Sequence, residues 1–429
     1  MSDTDEPHNR RANRRGFLRL AGAAVLSGAF ARAAAAEDAA LDRLIGDTQH
    51  GGFGQNFDDA SRTIRMPRAT EPTVSAATAQ TTEKAIDRYA DIVARGGWPS
   101  VPSVSALHVG DRHAAVPVLR ARLAASGDID PNAAGNDIYD SYVEAAVRRF
   151  QARHGLTVDG VIRPETLAAI NVPAPTRLGQ LKINVTRLRV LSANLSPRYV
   201  VCNIPAARIE AIENGMAVSR HTAVVGKPDR ASPEINSKII QINFNPYWTV
   251  PPSIVQRDLI PKMQDQPDYL TSNHIRIFDG RHRELQPSQI NWYSEDATHF
   301  SFKQDPGSFN SLGSIRINFP SSYGVYMHDT PLKNLFGDDF RFHSSGCVRV
   351  QNVRQLVAWL LGGMKGWSLE DIDRVIKSGE QKNVELKKPV PLHWVYITGW
   401  ETPDGVVQFR EDIYGKDGLA GAQTATTNL

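Results

Sequence analysis

The chain has 429 residues, 41% of them hydrophobic, which allows two or three modest domains with buried cores. Its 49 Lys and Arg nearly balance 46 Asp and Glu, a formal charge of +3 that argues against nucleic acid or a charged membrane surface as the main partner. Only two cysteines occur, Cys202 and Cys347. They are too few for a disulfide scaffold and lack the CxxC spacing of a zinc site, so a single disulfide and a reactive thiol stay open.

Residues 1–36 have the layout of a targeting segment: a basic stretch ending Asn13-Arg14-Arg15-Gly16-Phe17-Leu18-Arg19, an apolar run Leu20–Phe30, and a small-residue cleavage region near Ala36. The pair Arg14-Arg15 followed by Phe17-Leu18 resembles a twin-arginine export signal. The alternative is a retained anchor, but the apolar run is short for a bilayer core of about 30 Å, so no retained membrane span is expected. Export places the mature chain in the periplasm, where a free thiol must coexist with oxidising conditions.

Residues 37–104 read as a loose segment followed by a scaffold helix over Glu83–Arg95, with Ile86, Tyr89, Ala90 and Val93 on one face. Residues 105–172 read as a three-helix unit. Val116, Leu119 and Leu123 share one face, Val143, Ala146, Val147 and Phe150 another, and Pro164 opens the third helix after the turn at Asp159-Gly160. An amphipathic helix over 176–195 begins the largest unit, 176–376. Strands are expected at Tyr199–Ile204, Arg208–Glu213, Ala217–Val225 and Lys238–Phe244, and again at Gly313–Phe319 and Gly324–His328. Together these predict a multidomain α+β chain. Its main part is a mainly antiparallel β-sandwich or barrel, interrupted over about 250–313 by an insertion long enough to be a lid. A helix is expected over Asn352–Leu361. The C-terminal extension, 377–429, should carry a hairpin of His393–Thr398 and Val406–Phe409 turned at Asp404-Gly405.

The chemistry gathers in Tyr326-Met327-His328-Asp329-Thr330-Pro331 and Ser344-Ser345-Gly346-Cys347-Val348-Arg349-Val350. Cys202 lies in an apolar strand and reads as a small buried hydrophobe. Cys347 follows a Ser-Ser-Gly turn, an odd core but a suitable seat for a nucleophile, with turn N–H groups able to hold an oxyanion. A following helix N-terminus would favour the thiolate, and His328, ending a strand, is placed to act as base. His343 is the competing base, and it also reads as a solvated loop residue. Nothing in the pattern asks for a metal or cofactor: there is no HExxH pair among the twelve histidines.

These two stretches, 19 residues apart from His328 to Cys347, resemble the catalytic motif of the L,D-transpeptidases (YkuD-type). Asn245-Pro246-Tyr247-Trp248-Thr249-Val250-Pro251-Pro252-Ser253, Gly96-Gly97-Trp98-Pro99 and Phe409–Gly415 are similar to the large YcbB-like branch of that family, so the resemblance spans roughly 83–416. Residues 105–172 resemble the peptidoglycan-binding-like domain, mostly at core and turn positions that report fold more than binding. Ser345 departs from the histidine that many members carry there, while some of the large branch resemble this chain in having Ser-Ser-Gly-Cys.

The resemblance implies a peptidoglycan cross-linking enzyme. Cys347 would attack a donor tetrapeptide stem between meso-diaminopimelate and D-alanine, leaving a thioester that the amine of a second stem resolves into a 3–3 cross-link. His328 would shuttle the proton, and Gly346, Ser345 and Cys347 would form the oxyanion turn. Arg349 would pair with a stem carboxylate or serve as a structural ion pair; Tyr326 and Trp248 would line the cleft or serve as core aromatics. Hydrolysis by water, attachment of a protein to the wall, and non-catalytic wall binding are the rival readings.

Overall fold

The computed structural model describes residues 70–133 and 135–419. The expected signal at 1–36, and the loose segment up to residue 69, lie outside the described residues. Five helices come first: α1 (Ala76–Ala94), α2 (Val116–Ala125), α3 (Ser141–His154), α4 (Pro164–Ile170) and α5 (Ala174–Ser192). The scaffold helix thus starts seven residues before its expected Glu83. Ser75 caps it, its hydroxyl accepting the Thr78 N–H, and the buried face of the first turns is Thr78, Ala79 and Thr82. Small and hydroxylated residues carry no apolar period, so the sequence pattern misses them. Helices α2–α4 form the expected three-helix unit around Leu119, Leu123, Val147 and Phe150. No helix among the described residues is long and apolar enough to cross a membrane.

The strands are β1 (Arg198–Asn203), β2 (Arg208–Glu213), β3 (Met216–Gly226), β4 (Ile235–Phe244), β5 (Trp248–Thr249), β6 (Ile275–Phe278), β7 (Glu284–Leu285), β8 (Ser301–Gln304), β9 (Ile315–Asn318), β10 (Met327–His328), β11 (Phe342–Ser344), β12 (Val348–Val350), β13 (Lys382–Val395), β14 (Gly399–Glu401) and β15 (Val407–Phe409). Nine of them form one sheet in the order β11-β3-β12-β10-β9-β4-β13-β1-β2, and β3 also pairs with β2, which closes the sheet on itself. The expected barrel is therefore present, but it is mixed: β1 with β13, β10 with β12 and β11 with β3 are parallel pairs.

The sheet also runs past residue 376, because β13 sits between β4 and β1 in its middle. Residues His393–Val395 accordingly end this strand rather than start a hairpin. The hairpin is instead β14 with β15, Glu401 opposite Val407. Alternation supplies the core. Val200 and Cys202 point to the barrel interior with Ile242, Ile317, Met327 and Val348, while Tyr199 and Val201 meet Leu188 of α5 and Trp400 on the outside. Two further helices, α6 (Val353–Leu360) and α7 (Leu369–Ser378), follow β12, and Leu356, Val357, Leu360 and Ile372 join that interior.

The insertion after β4 is a folded unit with a core of its own. Its sheet runs β5-β8-β6-β7, and Val255, Leu259, Ile277, Trp292 and Phe302 pack together over it. The helical unit is stitched to the rest through the C-terminal segment. Arg410, 5% exposed, donates to the carbonyls of Arg153 at 3.0 Å and Phe409 at 2.6 Å. Gly155 ends α3 in the left-handed region at φ 72°, and a Cβ there would meet the Arg410 Nε at 2.6 Å. Because Arg410 is fixed by those carbonyls, it cannot swing away freely. Gly155→Ala should cost about 1–2 kcal/mol from the backbone alone, plus the displacement of Arg410. A lowered urea midpoint for the variant checks this, and an unchanged midpoint would contradict it.

Candidate active site

Strand β10 has two residues, and its register decides what faces the cleft. Met327 pairs with Ile317 and Val348, all wholly buried in the barrel. His328 pairs with Arg316 on β9 and with Arg349 on β12. A slip of one residue would expose Met327 and bury His328 among aliphatics. Burial of a side chain like Met327 is worth roughly 1.5–3 kcal/mol, so the register is firmly set. The outer face consequently carries Arg316, His328 and Arg349 in a row, and by the same period of two Tyr326 and Cys347 stand on it one step earlier.

Cys347 is partly buried and Cys202 is buried; both are free thiols, which removes the disulfide alternative. Cys202 lies in the barrel core, and burial pushes its thiol up. Burial also raises the Cys347 thiol. The Tyr326 backbone N–H, Arg316, the Tyr326 hydroxyl and Arg349 pull it back toward the thiolate. The expected helix N-terminus does not contribute: β12 intervenes, and α6 begins only at Val353.

The Tyr326 phenol lies among Cys347, Arg316 and Trp248: burial and then the Cys347 charge push its pKa up, while Arg316 and the Trp248 side chain pull it back. Trp248, on the first strand of the insertion, thus stands beside Tyr326. The Arg316 guanidinium lies 4.1 Å over the Tyr326 ring. Sequence reasoning missed Arg316. Its only signal was the alternation Ile315-Arg316-Ile317-Asn318, which marks an outward face without marking a cleft.

His328 is 6% exposed. Its Nδ1 lies 2.5 Å from the Asp329 carbonyl oxygen, an acceptor only, so Nδ1 carries the proton and Nε2 keeps its lone pair. Burial, then the Arg349 charge, hold its pKa down to about 3. The ring is thus a neutral base. Asp329 is itself anchored: its carboxylate accepts the Ser314 N–H at 3.1 Å and hydroxyl at 2.9 Å and pairs with Lys333. Gly313, at φ 58°, makes room for it, since a Cβ there would come within 2.5 Å of that carboxylate.

The turn before Cys347 is bound from below. Gly346 sits at φ 106°, and its N–H, expected as an oxyanion donor, is spent on the Ser344 hydroxyl at 3.2 Å, which in turn donates to the Cys347 carbonyl at 2.5 Å. Ser345 is exposed and accepts from Arg230 at 3.0 Å; Arg230 also pairs with Asp258 of the insertion at 2.6 Å. The insertion therefore touches the site at two points, Trp248 and Asp258. His343, on β11, lies beyond β3 and β12 from β10; its Nε2 meets the Phe340 carbonyl at 2.9 Å. Arg349 is partly buried, and its Nε and Nη1 are buried without a partner. It forms no ion pair among the described residues.

Residues 197–386 match the family described as "L,D-transpeptidase catalytic domain", and residues 112–170 the family described as "Putative peptidoglycan binding domain". A Haemophilus influenzae protein named "Putative L,D-transpeptidase" is 32% identical over 239 residues, 56% of this chain and 48% of that protein. The chain thus spans about half the length of the curated relative it matches. Among solved structures, an L,D-transpeptidase from Stackebrandtia nassauensis shares 12% identity over 69% of this chain and 96% of that one, with a TM-score of 0.27. One from Mycobacterium smegmatis shares 13% over 46% and 58%, with a TM-score of 0.24. Superpositions at these scores add nothing to the fold described above.

The Tyr326 side chain favours the Cys347 thiolate, and a hydrogen bond to a charged group is worth roughly 1.5–3 kcal/mol. Removing it destabilises the charged form, so the thiol pKa rises. Tyr326→Phe should move the pH profile of Cys347 alkylation by iodoacetamide upward by about one pH unit or more. An unmoved profile would show that the phenol does not support the thiolate.

Proposed function

We propose that this chain, whose residues 197–386 belong to the L,D-transpeptidase catalytic domain family, cross-links peptidoglycan through a cysteinyl acyl-enzyme, with stem peptides as donor and acceptor. The observation that carries the reading is the register that sets His328 between Arg316 and Arg349, two arginines with buried partnerless nitrogens, on the sheet face from which Cys347 and Tyr326 also project. That is the equipment for acyl transfer between anionic peptides. No metal or cofactor has a part in the scheme.

The steps follow from the side chains. His328 Nε2 takes the Cys347 proton as sulfur attacks the carbonyl between diaminopimelate and terminal D-alanine. The Cys347 N–H faces the oxyanion, and Gly346 adds its own only when Ser344 releases it. The carbon–nitrogen bond breaks, D-alanine leaves with the proton from His328, and a thioester remains. The side-chain amine of a second stem attacks that thioester, His328 accepts its proton, and sulfur leaves as thiolate and is reprotonated. Arg349 and Arg316 hold stem carboxylates, because a planar guanidinium suits bidentate contact. Trp248 and Tyr326 form the cleft wall, and the insertion over about 250–313 closes on the donor. A periplasmic site of action, reached through the twin-arginine segment, accords with a wall substrate.

Two measurements test this. A carbapenem, a strained acyl donor, should add its mass to the intact protein and to Cys202→Ala but not to Cys347→Ala; an adduct mapped to Cys202 would overturn the site. With purified tetrapeptide muropeptides, mass spectrometry should find 3–3 dimers, whereas tripeptides alone would make water the acceptor.

The assignment of the base is tested separately. Loss of a general base costs on the order of 10²–10⁴-fold in rate. Single-turnover acylation should fall by that order in His328→Ala and stay within a few-fold in His343→Gln, because β11 is separated from β10 by two strands. The reverse ranking, with both variants folded, would make His343 the base.

A further inference from the structure

The connection from β3 to β4 holds each residue of the turn before Cys347. The Lys227 N–H donates to the Ser344 carbonyl at 2.9 Å, the Arg230 Nη1 to the Ser345 hydroxyl at 3.0 Å, and the Ser232 hydroxyl to the Gly346 carbonyl at 2.9 Å. The connection is itself stiff. The Gly226 N–H donates to the Ser232 hydroxyl at 2.9 Å, and the Arg230 N–H to the Lys227 carbonyl at 3.0 Å. A Cβ on Gly226 would collide with the Arg230 carbonyl and come within 2.6 Å of the Ser232 nitrogen, so backbone lies directly on backbone. Tyr414 closes the connection from the far side, its hydroxyl accepting the Ser232 N–H at 3.2 Å and donating to the Gly226 carbonyl at 2.6 Å.

Arg230 carries this connection to the insertion. The Nη1 that serves Ser345 also donates to the Asp258 carboxylate at 2.6 Å, one hydrogen to each acceptor. Asp258 stands on the π-helical turn Val255–Leu259, and the two ends of that turn, Val255 and Leu259, are buried in the insertion's own core. Asp258 therefore moves with the insertion as a body. Asp229, the other carboxylate near Arg230, lies 3.7 Å away and is mostly exposed; it faces Nε, so it leaves Nη1 to Asp258 and Ser345.

The strength of the pair suits a contact that is made and broken. Its two side chains are 15% and 35% exposed, and an ion pair open to water shifts an equilibrium by roughly fivefold at most. That is too weak to hold the insertion shut, yet a small displacement of a nucleophile costs far more in rate than in stability. We propose that Arg230 is a positioning residue that couples the insertion to the turn bearing Cys347. With the insertion closed over a donor, Asp258 fixes the guanidinium, and the guanidinium fixes Ser345 and the backbone that aims the sulfur at the scissile carbonyl. Closure over a donor belongs to the function proposed above, and the inference rests on it.

The test uses the full chain and two readouts: single-turnover acylation of Cys347 by a disaccharide-tetrapeptide, and hydrogen exchange of the free protein. Asp258→Asn should slow acylation about three- to fivefold. Arg230→Gln, which loses Ser345 as well, should slow it at least fivefold. The double variant should match Arg230→Gln within twofold, because Asp258 then has nothing to act through. Arg230→Lys keeps three hydrogens for the same two acceptors and should recover most of the loss, while Asp229→Asn should match the unaltered chain. Exchange in Asp258→Asn should quicken over 344–348, a segment distant in sequence, and stay unchanged over the barrel strands 198–213. Losses that multiply in the double variant, a Lys variant no better than the Gln variant, or quickened exchange confined to 255–259 would each overturn the coupling. An unaltered chain that forms no acyl-enzyme from the stem would defeat the proposed function, and the exchange experiment would still decide the coupling. Normal acylation with multiplying losses would defeat this inference alone.

Discussion

The pairing of Met327-His328 with β9 on one side and β12 on the other decides which side chains share the cleft. Packing, not chemistry, enforces it. Met327 must stay among Ile317 and Val348, so His328 must stay between Arg316 and Arg349. Once there, the imidazole is surrounded by conditions that disfavour its cation, while the neighbouring thiol is surrounded by donors that favour its anion. Burial opposes charge on both groups. Arg316 and Arg349 stand beside them with buried nitrogens that meet no partner among the described residues.

The surroundings hold that arrangement by indirect means. Asp329 does not reach the sulfur; it fixes the turn whose carbonyl sets the imidazole tautomer. Ser344 locks the backbone of the Cys347 turn from beneath, and Ser232 does the same by donating to the Gly346 carbonyl at 2.9 Å. At Ser345 a short hydroxyl meets Arg230, and through it Asp258, where a larger imidazole would have to displace that contact. The short Ser345 side chain is thus built into the link between the Cys347 turn and the insertion.

What could be read beforehand followed from locality. The spacing of His328 and Cys347, the alternating strands from 198 to 244 and the three-helix unit are each written in short windows. What escaped depends on partners distant in sequence. Arg316 looks like any outward strand residue until β10 is placed beside it. Strand β13 carries Lys387, Lys388 and two prolines, with a register shift between Glu385 and Val390, so its pattern does not announce a central strand. The spent Gly346 N–H depends on a rotamer of Ser344. The helix expected over Asn352–Leu361 is present as Val353–Leu360; the short strand before it, with Val348 and Val350 in the core, went unread.

The place of β13 has a temporal consequence. It is the strand that joins β4 to β1, yet it is made about 180 residues after β1. Contacts of such separation close slowly, and a growing chain cannot make them early. When the ribosome has just completed Val350, the whole Ser-Ser-Gly-Cys turn and its histidine exist as sequence while β1 and β4 still lack the strand that lies between them. Cys347 therefore acquires its surroundings among the last events of folding, and any nascent or truncated form that ends before Lys382 carries its thiol without the complete barrel around it.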